Sequence, residues 1–408
     1  MKSDTVTGKW NLEKGSLQAN TSGAMDSQRP DAVLDPVANT DASDRFPAYI
    51  RAIQQGKALP GQITPLAGWI IRSALAILSV YFRIRMGAWG SGKNKRGQKA
   101  DTYSRYEELA AGYEQNHTRT MNGRDLWWRR EVAYHAAFFL KQRFRAKPSE
   151  MPLLVDLCTG TGLSLEEMFR VFDLERVHVK AIGVDINEAM LQLAKNETLV
   201  RIQNTNWAVS GVREITFLRG DATKLTSAKK PSGDWITFEE NSVACITNIL
   251  GACGLADSLQ CFREQLRVLE TGGIAIALDV HRPIPSLTPS WPFNKYKWWP
   301  VFEQMAWDIV TVPLVLNEYW AWEDPTLSFH TVPLLTVQSE RDGKHYGFEL
   351  LLRLLRTETW WFGLLVIPNA TMILRKIEIT AEEARARESL LADVIGEVGR
   401  NRTSPNQR

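Results

Sequence analysis

The feature that most constrains the fold of this chain is an apolar run, Leu153–Leu157, that carries one acid and breaks into a turn containing Gly160 and Gly162. An apolar run of this length predicts a buried parallel strand that leads into a tight turn. The helical spacing of the apolar residues after Gly162 predicts a helix directly behind the turn. Glycines in such a turn let backbone N–H groups approach a ligand closely, so the sequence predicts a cofactor site here.

The spacing of the glycines argues against a dinucleotide cofactor. A dinucleotide fingerprint has a third glycine three residues after Gly162, and this chain has Leu165 there. A second apolar run, residues 181–184, ends at Asp185. An acid at the tip of the second strand is placed to accept hydrogen bonds from two ribose hydroxyls, and hydrogen bonds to a charged acceptor are the strong ones.

Later segments continue the alternation of strands and helices. Residues 215–222 predict a third strand that ends on Asp221, and residues 243–247 predict a fourth. A helix is expected from about Asp257 to a double glycine, and residues 274–280 predict a fully buried fifth strand. Each segment alone is common in doubly wound proteins, but all four in this order make a strong case for a cofactor site at the strand ends.

Together these segments resemble the S-adenosylmethionine (SAM) site of class I methyltransferases. The resemblance implies an α/β, Rossmann-like fold with a mostly parallel seven-stranded sheet and a reversed last strand. It also implies SAM as the cofactor, with Asp221 reaching the adenine amino group. The cofactor-binding residues expected on this basis are Asp156, Cys158, Thr159, Gly160, Gly162, Asp185, Ile186, Asp221, Ala222, Thr247 and Arg129.

Two of these expectations have structural alternatives. A turn without a cofactor would have no evident need for an acid at position 185, which favours the cofactor site. Arg129 pairs either with the carboxylate of SAM or with an acid on a neighbouring helix.

A narrower resemblance appears before the first strand. Tyr113-Glu114, Gly123 and Trp128-Arg129-Arg130 match, without a gap, the N-terminal signature of the quinone C-methyltransferases of ubiquinone and menaquinone synthesis. The chain departs from that pattern at His117, where the family has an asparagine, and at residues 249–254.

Three residues near the expected cofactor face are candidates for a catalytic base: His117, Tyr113 and His281. Each has a structural alternative, since Tyr113 could cover the methionine end of SAM, and the histidines could be a helix-surface and a loop residue. No cluster has metal-ligand spacing, so no metal is expected. The net charge of +3 and the lack of an Asn/Asp-Pro-Pro-aromatic box at residues 247–250 argue against a nucleic-acid acceptor.

The composition along the chain predicts seven segments. They are a disordered leader (1–60), an apolar helix with a basic linker (61–100), an N-terminal helical cap (101–150), a SAM-binding core (151–281), an aromatic-rich insertion or lid (282–345), closing strands (346–380), and a C-terminal helix with a tail (381–408). The aromatic residues of the insertion either pack a small satellite core or line a lid over a lipophilic acceptor.

The apolar stretch at residues 66–82 is too short, and too interrupted by Arg72, to predict a transmembrane helix. It packs either on the catalytic domain or a second subunit of a homodimer, or it lies on a membrane surface with the basic residues up to position 99. Four cysteines without a CxxC pair fit a cytoplasmic protein.

The sequence therefore predicts a SAM-dependent methyltransferase that acts on a lipophilic small molecule, such as a quinone-like ring carbon. The alternatives are O- or N-methylation of another lipid or aromatic metabolite, an NAD(P)-dependent oxidoreductase, and a non-catalytic binding protein at the membrane.

Overall fold

The computed structural model describes residues 65–86, 106–107, 110–115, 123–205, 214–226, 228–229, 235–255, 257–280, 305, 331–360 and 365–402. The expected disordered leader lies outside this part of the chain, as does most of the aromatic-rich insertion.

Ten strands form one sheet in the described part of the chain. They are β1 Leu153–Leu157, β2 Lys180–Asp185, β3 Ile215–Gly220, β4 Ala228–Lys229, β5 Trp235–Ile236, β6 Val243–Ile249, β7 Leu269–Val280, β8 Thr336–Gln338, β9 His345–Trp360 and β10 Leu365–Ile379. Their order across the sheet is β5-β4-β3-β2-β1-β6-β7-β10-β9-β8.

The five central strands β3, β2, β1, β6 and β7 are parallel, and β10 runs antiparallel between β7 and β9. This confirms the Rossmann-like sheet with a reversed last strand. The expected count of seven strands was too low, because β4, β5 and β8 extend the two edges. These strands have two or three residues each, which is too short to give a periodic sequence signal.

Seven α-helices are described: α1 Pro65–Met86, α2 Arg124–Ala146, α3 Leu163–Glu175, α4 Glu188–Leu193, α5 Leu199–Asn204, α6 Ser258–Val268 and α7 Ala381–Arg402. A π-helical segment, Ala194–Thr198, joins α4 to α5. Thr380 caps α7, with its Oγ1 accepting a hydrogen bond from Glu383 N at 3.1 Å.

The fifth core strand begins earlier than its sequence predicts. The double glycine at 272–273 was expected to stand between the helix and a strand starting at Ile274, but β7 already begins at Leu269. Val243 of β6 pairs with Leu269, and the register then shifts before Cys245 pairs with Ile274. Gly272, whose φ is +85°, lies at this irregularity, and the strand continues through it instead of ending there.

Two apolar clusters fill the two faces of the sheet. The first is formed by α2 and α3, with Trp128, Phe169 and Phe172 fully buried. The second includes Phe262 of α6 and Leu391 of α7. Leu75 of α1 is buried in the first cluster, so α1 packs on the core beside the sheet.

Candidate functional site

The turn after β1 has a backbone that favours glycine. Cys158, Gly160 and Gly162 all have positive φ, at 55°, 57° and 82°. A Cβ on Gly162 would lie 3.0 Å from Phe217 Cζ, so position 162 favours glycine for space as well as for conformation. The turn leads directly into the N-terminus of α3, as its sequence predicts.

Asp156 holds this turn against the neighbouring strand. Its carboxylate is buried and accepts hydrogen bonds from Thr159 Oγ1 at 2.7 Å and from Thr247 Oγ1 at 2.6 Å. Burial raises the pKa of Asp156 to about 6, and the two hydroxyl hydrogen bonds and the nearby Arg129 charge oppose that shift. Asp156 therefore positions Thr159, which itself lines the cavity described below.

Asp185 closes the same turn from β2. Gly160 N donates to its Oδ2 and Asn187 N donates to its Oδ1, both at 2.8 Å. Burial raises the pKa of this carboxyl above its usual value, while the backbone hydrogen bonds lower it. An acid at position 185 thus has a structural role in the turn as well as a place on the cavity wall, so the expectation that the turn alone would not need this acid was wrong.

Asp221 lies at the end of the neighbouring strand β3. Its Oδ1 accepts hydrogen bonds from Thr223 N at 2.8 Å and from Thr223 Oγ1 at 2.7 Å. The carboxylate is therefore fixed in orientation beside Ala222, and both residues line the cavity.

Arg129 approaches the site from α2. Arg129 is only 4% exposed, its Nη1 donates to Ser164 Oγ, and its Nε lies 3.9 Å from Asp125 Oδ2 on the same helix. Among the described residues, Arg129 Nε and Thr161 Oγ1 are buried atoms of the cavity wall that have no hydrogen-bond partner. A guanidinium and a hydroxyl arranged in this way suit a carboxylate ligand.

The strand ends surround a cavity of about 250 Å³. Of the expected residues, the cavity is lined by Tyr113, Arg129, Cys158, Thr159, Gly160, Asp185, Ile186, Asp221 and Ala222. Asp156, Gly162 and Thr247 lie outside its wall. His117 and His281, the other candidate bases, lie outside the described residues.

Several lining residues were missed by the sequence analysis: Tyr106, Leu163, Asn187, Met190, Ile249, Leu250 and Leu255. Asn187 could have been found as the N-cap of α4, since its Oδ1 accepts a hydrogen bond from Met190 N at 3.0 Å. The aromatic rings of Tyr106 and Tyr113 lie 6.0 Å apart, so both tyrosines belong to one side of the cavity.

The residues present fit SAM. Asp185 and Asp221 line the cavity at adjacent strand ends, and their carboxylates could accept hydrogen bonds from ribose hydroxyls and an adenine amino group. Arg129 Nε and Thr161 Oγ1, which have no hydrogen-bond partner among the described residues, could donate to the carboxylate of the methionine moiety. Leu165 is fully buried in the first apolar cluster, so the position of the third glycine of a dinucleotide site is occupied by a packed side chain.

Comparison with known proteins gives the same class. The model of the ubiE/COQ5 methyltransferase family matches residues 134–308. The chain is 29% identical over 233 residues to the demethylmenaquinone methyltransferase of Desulfitobacterium hafniense. The matched region covers 57% of this chain and 72% of that protein.

Two other relatives are covered over less than two thirds of their own length. The chain is 27% identical over 191 residues to the demethylmenaquinone methyltransferase of Bacteroides fragilis, covering 46% of this chain and 63% of that protein. It is 27% identical over 141 residues to the ubiquinone/menaquinone biosynthesis C-methyltransferase UbiE of Pseudomonas paraeruginosa, covering 33% of this chain and 44% of that protein. With the geometry of the site, these matches identify the chain as a class I SAM-dependent methyltransferase similar to the quinone C-methyltransferases.

Proposed function

We propose that this methyltransferase methylates a ring carbon of a lipophilic, quinone-like acceptor in its reduced, quinol form. The observation that carries the proposal is the family match over residues 134–308, which spans the strand ends from β1 to β7. The relatives described above are named for the methylation of demethylmenaquinone and for ubiquinone or menaquinone synthesis.

The proposed roles of the polar residues follow from their positions. Asp185 accepts hydrogen bonds from the ribose, Asp221 accepts one from the adenine amino group, and Arg129 binds the carboxylate of SAM. When bound, SAM supplies an electrophilic methyl group. The protein orients the acceptor beside that methyl group and excludes water, and such positioning can lower a barrier by roughly 7–11 kcal/mol.

The apolar part of the cavity lining suits a flat, apolar acceptor. Ile249 at the end of β6 and Leu250 and Leu255 beyond it line the cavity, and so do Tyr106 and Tyr113. A quinol carbon becomes nucleophilic when its ring hydroxyl loses a proton. Of the three candidate bases, we assign this role first to Tyr113, because its side chain lines the cavity.

The aromatic-rich insertion is proposed to cover the acceptor. Its sequence between residues 291 and 329 contains Trp298 and Trp299, which lie outside the described residues. An aromatic cover favours a greasy, planar molecule over a sugar or a peptide.

We also propose that α1 brings the enzyme to a membrane surface. In the described part of the chain, no helix is long and apolar enough to span a bilayer. The helix nevertheless has two apolar faces: Ile71, Leu75 and Leu78 pack on the core, whereas Trp69 and Ile77 are exposed on the other side. The basic residues that follow in the sequence, up to Lys99, suit anionic headgroups.

The proposed reaction can be tested with SAM that carries a ¹³C-labelled methyl group and a short-chain demethylmenaquinol under anaerobic conditions. We expect a product whose new methyl group is attached to a ring carbon, as determined by NMR. A methyl group on the ring oxygen would instead support an O-methyltransferase, and oxidation or reduction of the acceptor with NAD(P) would support the oxidoreductase.

A further inference from the structure

A short segment before α2 forms part of the wall of the SAM cavity. Tyr106 and Tyr113 line the cavity, and between them Ala110–Gly112 forms a single turn of 3₁₀-helix. One turn of helix has little stability of its own, because forming it fixes several residues for very few hydrogen bonds. The position of Tyr113 therefore depends on contacts between its segment and the rest of the chain.

Glu114, the residue after Tyr113, makes such a contact with Arg201 of α5. Arg201 Nη2 donates to Glu114 Oε1 at 3.2 Å and to Glu114 Oε2 at 3.3 Å, and both side chains are partly buried. The segment is also anchored by apolar contact, since Ala110 is buried and its helical turn packs against α4. The ion pair thus adds a polar contact close to Tyr113 itself.

Arg201 is itself held in place by buried groups. Its Nε donates to Glu166 Oε2 at 2.9 Å, and the side chain of Glu166 on α3 is only 7% exposed. Its Nη2 also donates to the hydroxyl of the fully buried Thr198 at 2.9 Å. Because these hydrogen bonds fix the planar guanidinium, Arg201 presents its remaining donor to Glu114 in a defined orientation.

Arg201 is also connected to the glycine turn. Thr198 Oγ1 donates to Thr161 O in that turn at 2.6 Å. Thr161 lines the cavity, and its hydroxyl has no hydrogen-bond partner among the described residues. One guanidinium therefore contacts two parts of the cavity wall, the Tyr113 segment through Glu114 and the glycine turn through Thr198.

We propose that Arg201 is a positioning residue for SAM, which binds Glu114 and so holds Tyr113 in the cavity wall at a fixed distance from the glycine turn. Arg201 is not one of the described residues that line the cavity, so it acts through other side chains. A wall that stays in place lowers the rate at which a bound molecule leaves. The proposal concerns the cofactor and holds for any acceptor.

The test measures how fast isotope-labelled SAM leaves the full-length protein when unlabelled SAM is added in excess. Glu114→Gln removes the carboxylate of the Tyr113 segment and leaves the other partners of Arg201 in place. Glu197→Gln is the matched control, because the Glu197 carboxylate lies 3.8 Å from Arg201 Nη1 but belongs to the π-helical segment before α5. Both variants therefore remove one negative charge beside the same guanidinium.

We expect Glu114→Gln to raise the dissociation rate of SAM roughly fivefold, which corresponds to the upper range measured for partly exposed ion pairs. Glu197→Gln should leave this rate unchanged. Arg201→Gln should raise the rate at least as much, and adding Glu114→Gln to Arg201→Gln should cause no further increase, because the pair is already broken. Glu166 keeps its ion pair with Arg170 at 2.7 Å in this variant, so no buried carboxylate is left unpaired.

A second measurement determines whether the ion pair acts through Tyr113. Tyr113→Ala should itself raise the dissociation rate of SAM, because it removes a side chain of the cavity wall. In the Tyr113→Ala protein, Glu114→Gln should then have no further effect on this rate. A further increase of the same size as in the wild type would show that the pair does not act through Tyr113.

Three results would overturn the proposal. The first is an unchanged dissociation rate in Glu114→Gln, with or without a lower Tm, since the pair would then only stabilise the fold. The second is an equal rise in Glu197→Gln, and the third is additive effects of Glu114→Gln and Arg201→Gln. If Arg201→Gln does not fold, the comparison of Glu114→Gln with Glu197→Gln still decides. No acceptor is present in these experiments, so their result is independent of whether the proposed acceptor class is correct.

Discussion

At the scale of single residues, the carboxylate of Asp185 has two tasks. It accepts backbone hydrogen bonds from Gly160 and Asn187 that hold the turn, and it lines the cavity where the ribose is expected. Asp185→Ala should weaken SAM binding by at least about tenfold, because hydrogen bonds to a charged group contribute roughly 1.5–3 kcal/mol. Calorimetric titration of both proteins measures this change, and an unchanged affinity would remove Asp185 from the site.

Gly162 offers a second prediction with a control built into the chain. Alanine is strained at the positive φ of both Gly162 and Gly272, at a cost of about 1–2 kcal/mol. A Cβ at Gly162 would also meet Phe217 and Thr198, whereas at Gly272 nothing lies within 4 Å. Denaturant unfolding should therefore show a larger loss of stability for Gly162→Ala than for Gly272→Ala. Equal losses would mean that the close packing at Gly162 is unimportant.

Asp156 makes stability depend on pH. Because its pKa is about 6 in the folded protein and 3.8 for an ordinary aspartate, the folded protein binds more protons than the unfolded chain between these values. The free energy of unfolding should fall as pH rises through this window and remain lower above it. In the ligand-free protein, Asp156→Asn should make this fall smaller. The measurement compares the free energy of unfolding of the wild type with that of the variant at each pH. If the difference between these two free energies is the same at pH 4 and at pH 6, burial does not raise this pKa.

At the scale of elements, α1 carries the membrane proposal. Truncating the helix would expose the core around Leu75, so the sharper experiment changes its outer face alone. Ile77→Gln is matched by Leu174→Gln on α3, because both side chains are 71% exposed. We expect Ile77→Gln to reduce flotation with vesicles of phosphatidylcholine and phosphatidylserine, and Leu174→Gln to leave it unchanged.

Flotation of the wild type should also weaken as salt rises, since the basic residues after α1 act through screened charges. If the wild type stays out of the vesicle fraction at low salt, the exposed face of α1 belongs to another contact, such as a second copy of the chain.

The sequence predicted best the strands that are buried on both faces along their length. β1, β2 and β6 are apolar runs because both of their faces are covered by helices, so their positions could be read directly. The start of β7 could not, because Gly272 and Gly273 resemble a turn and only the pairing with β6 draws them into the strand. In the site, acids at strand ends were visible, whereas Leu250 and Met190 reach the cavity through tertiary packing that no local pattern encodes.

At the scale of the whole molecule, three observations agree on one SAM-dependent methyltransferase. They are the sheet, the cavity at its edge and the family match. The net charge is only +3, which gives no general attraction to nucleic acid, and part of the cavity lining is aromatic and aliphatic. A lipophilic acceptor is consistent with both properties.

The most direct test of this account is to give purified protein methyl-labelled SAM together with a reduced extract of total cellular lipids and metabolites, and to identify the labelled product. We predict that the label appears in a lipophilic aromatic molecule with quinone redox behaviour, and that Asp185→Ala protein labels it far more slowly. Label recovered in protein, nucleic acid, a phospholipid headgroup or a water-soluble metabolite would contradict the account.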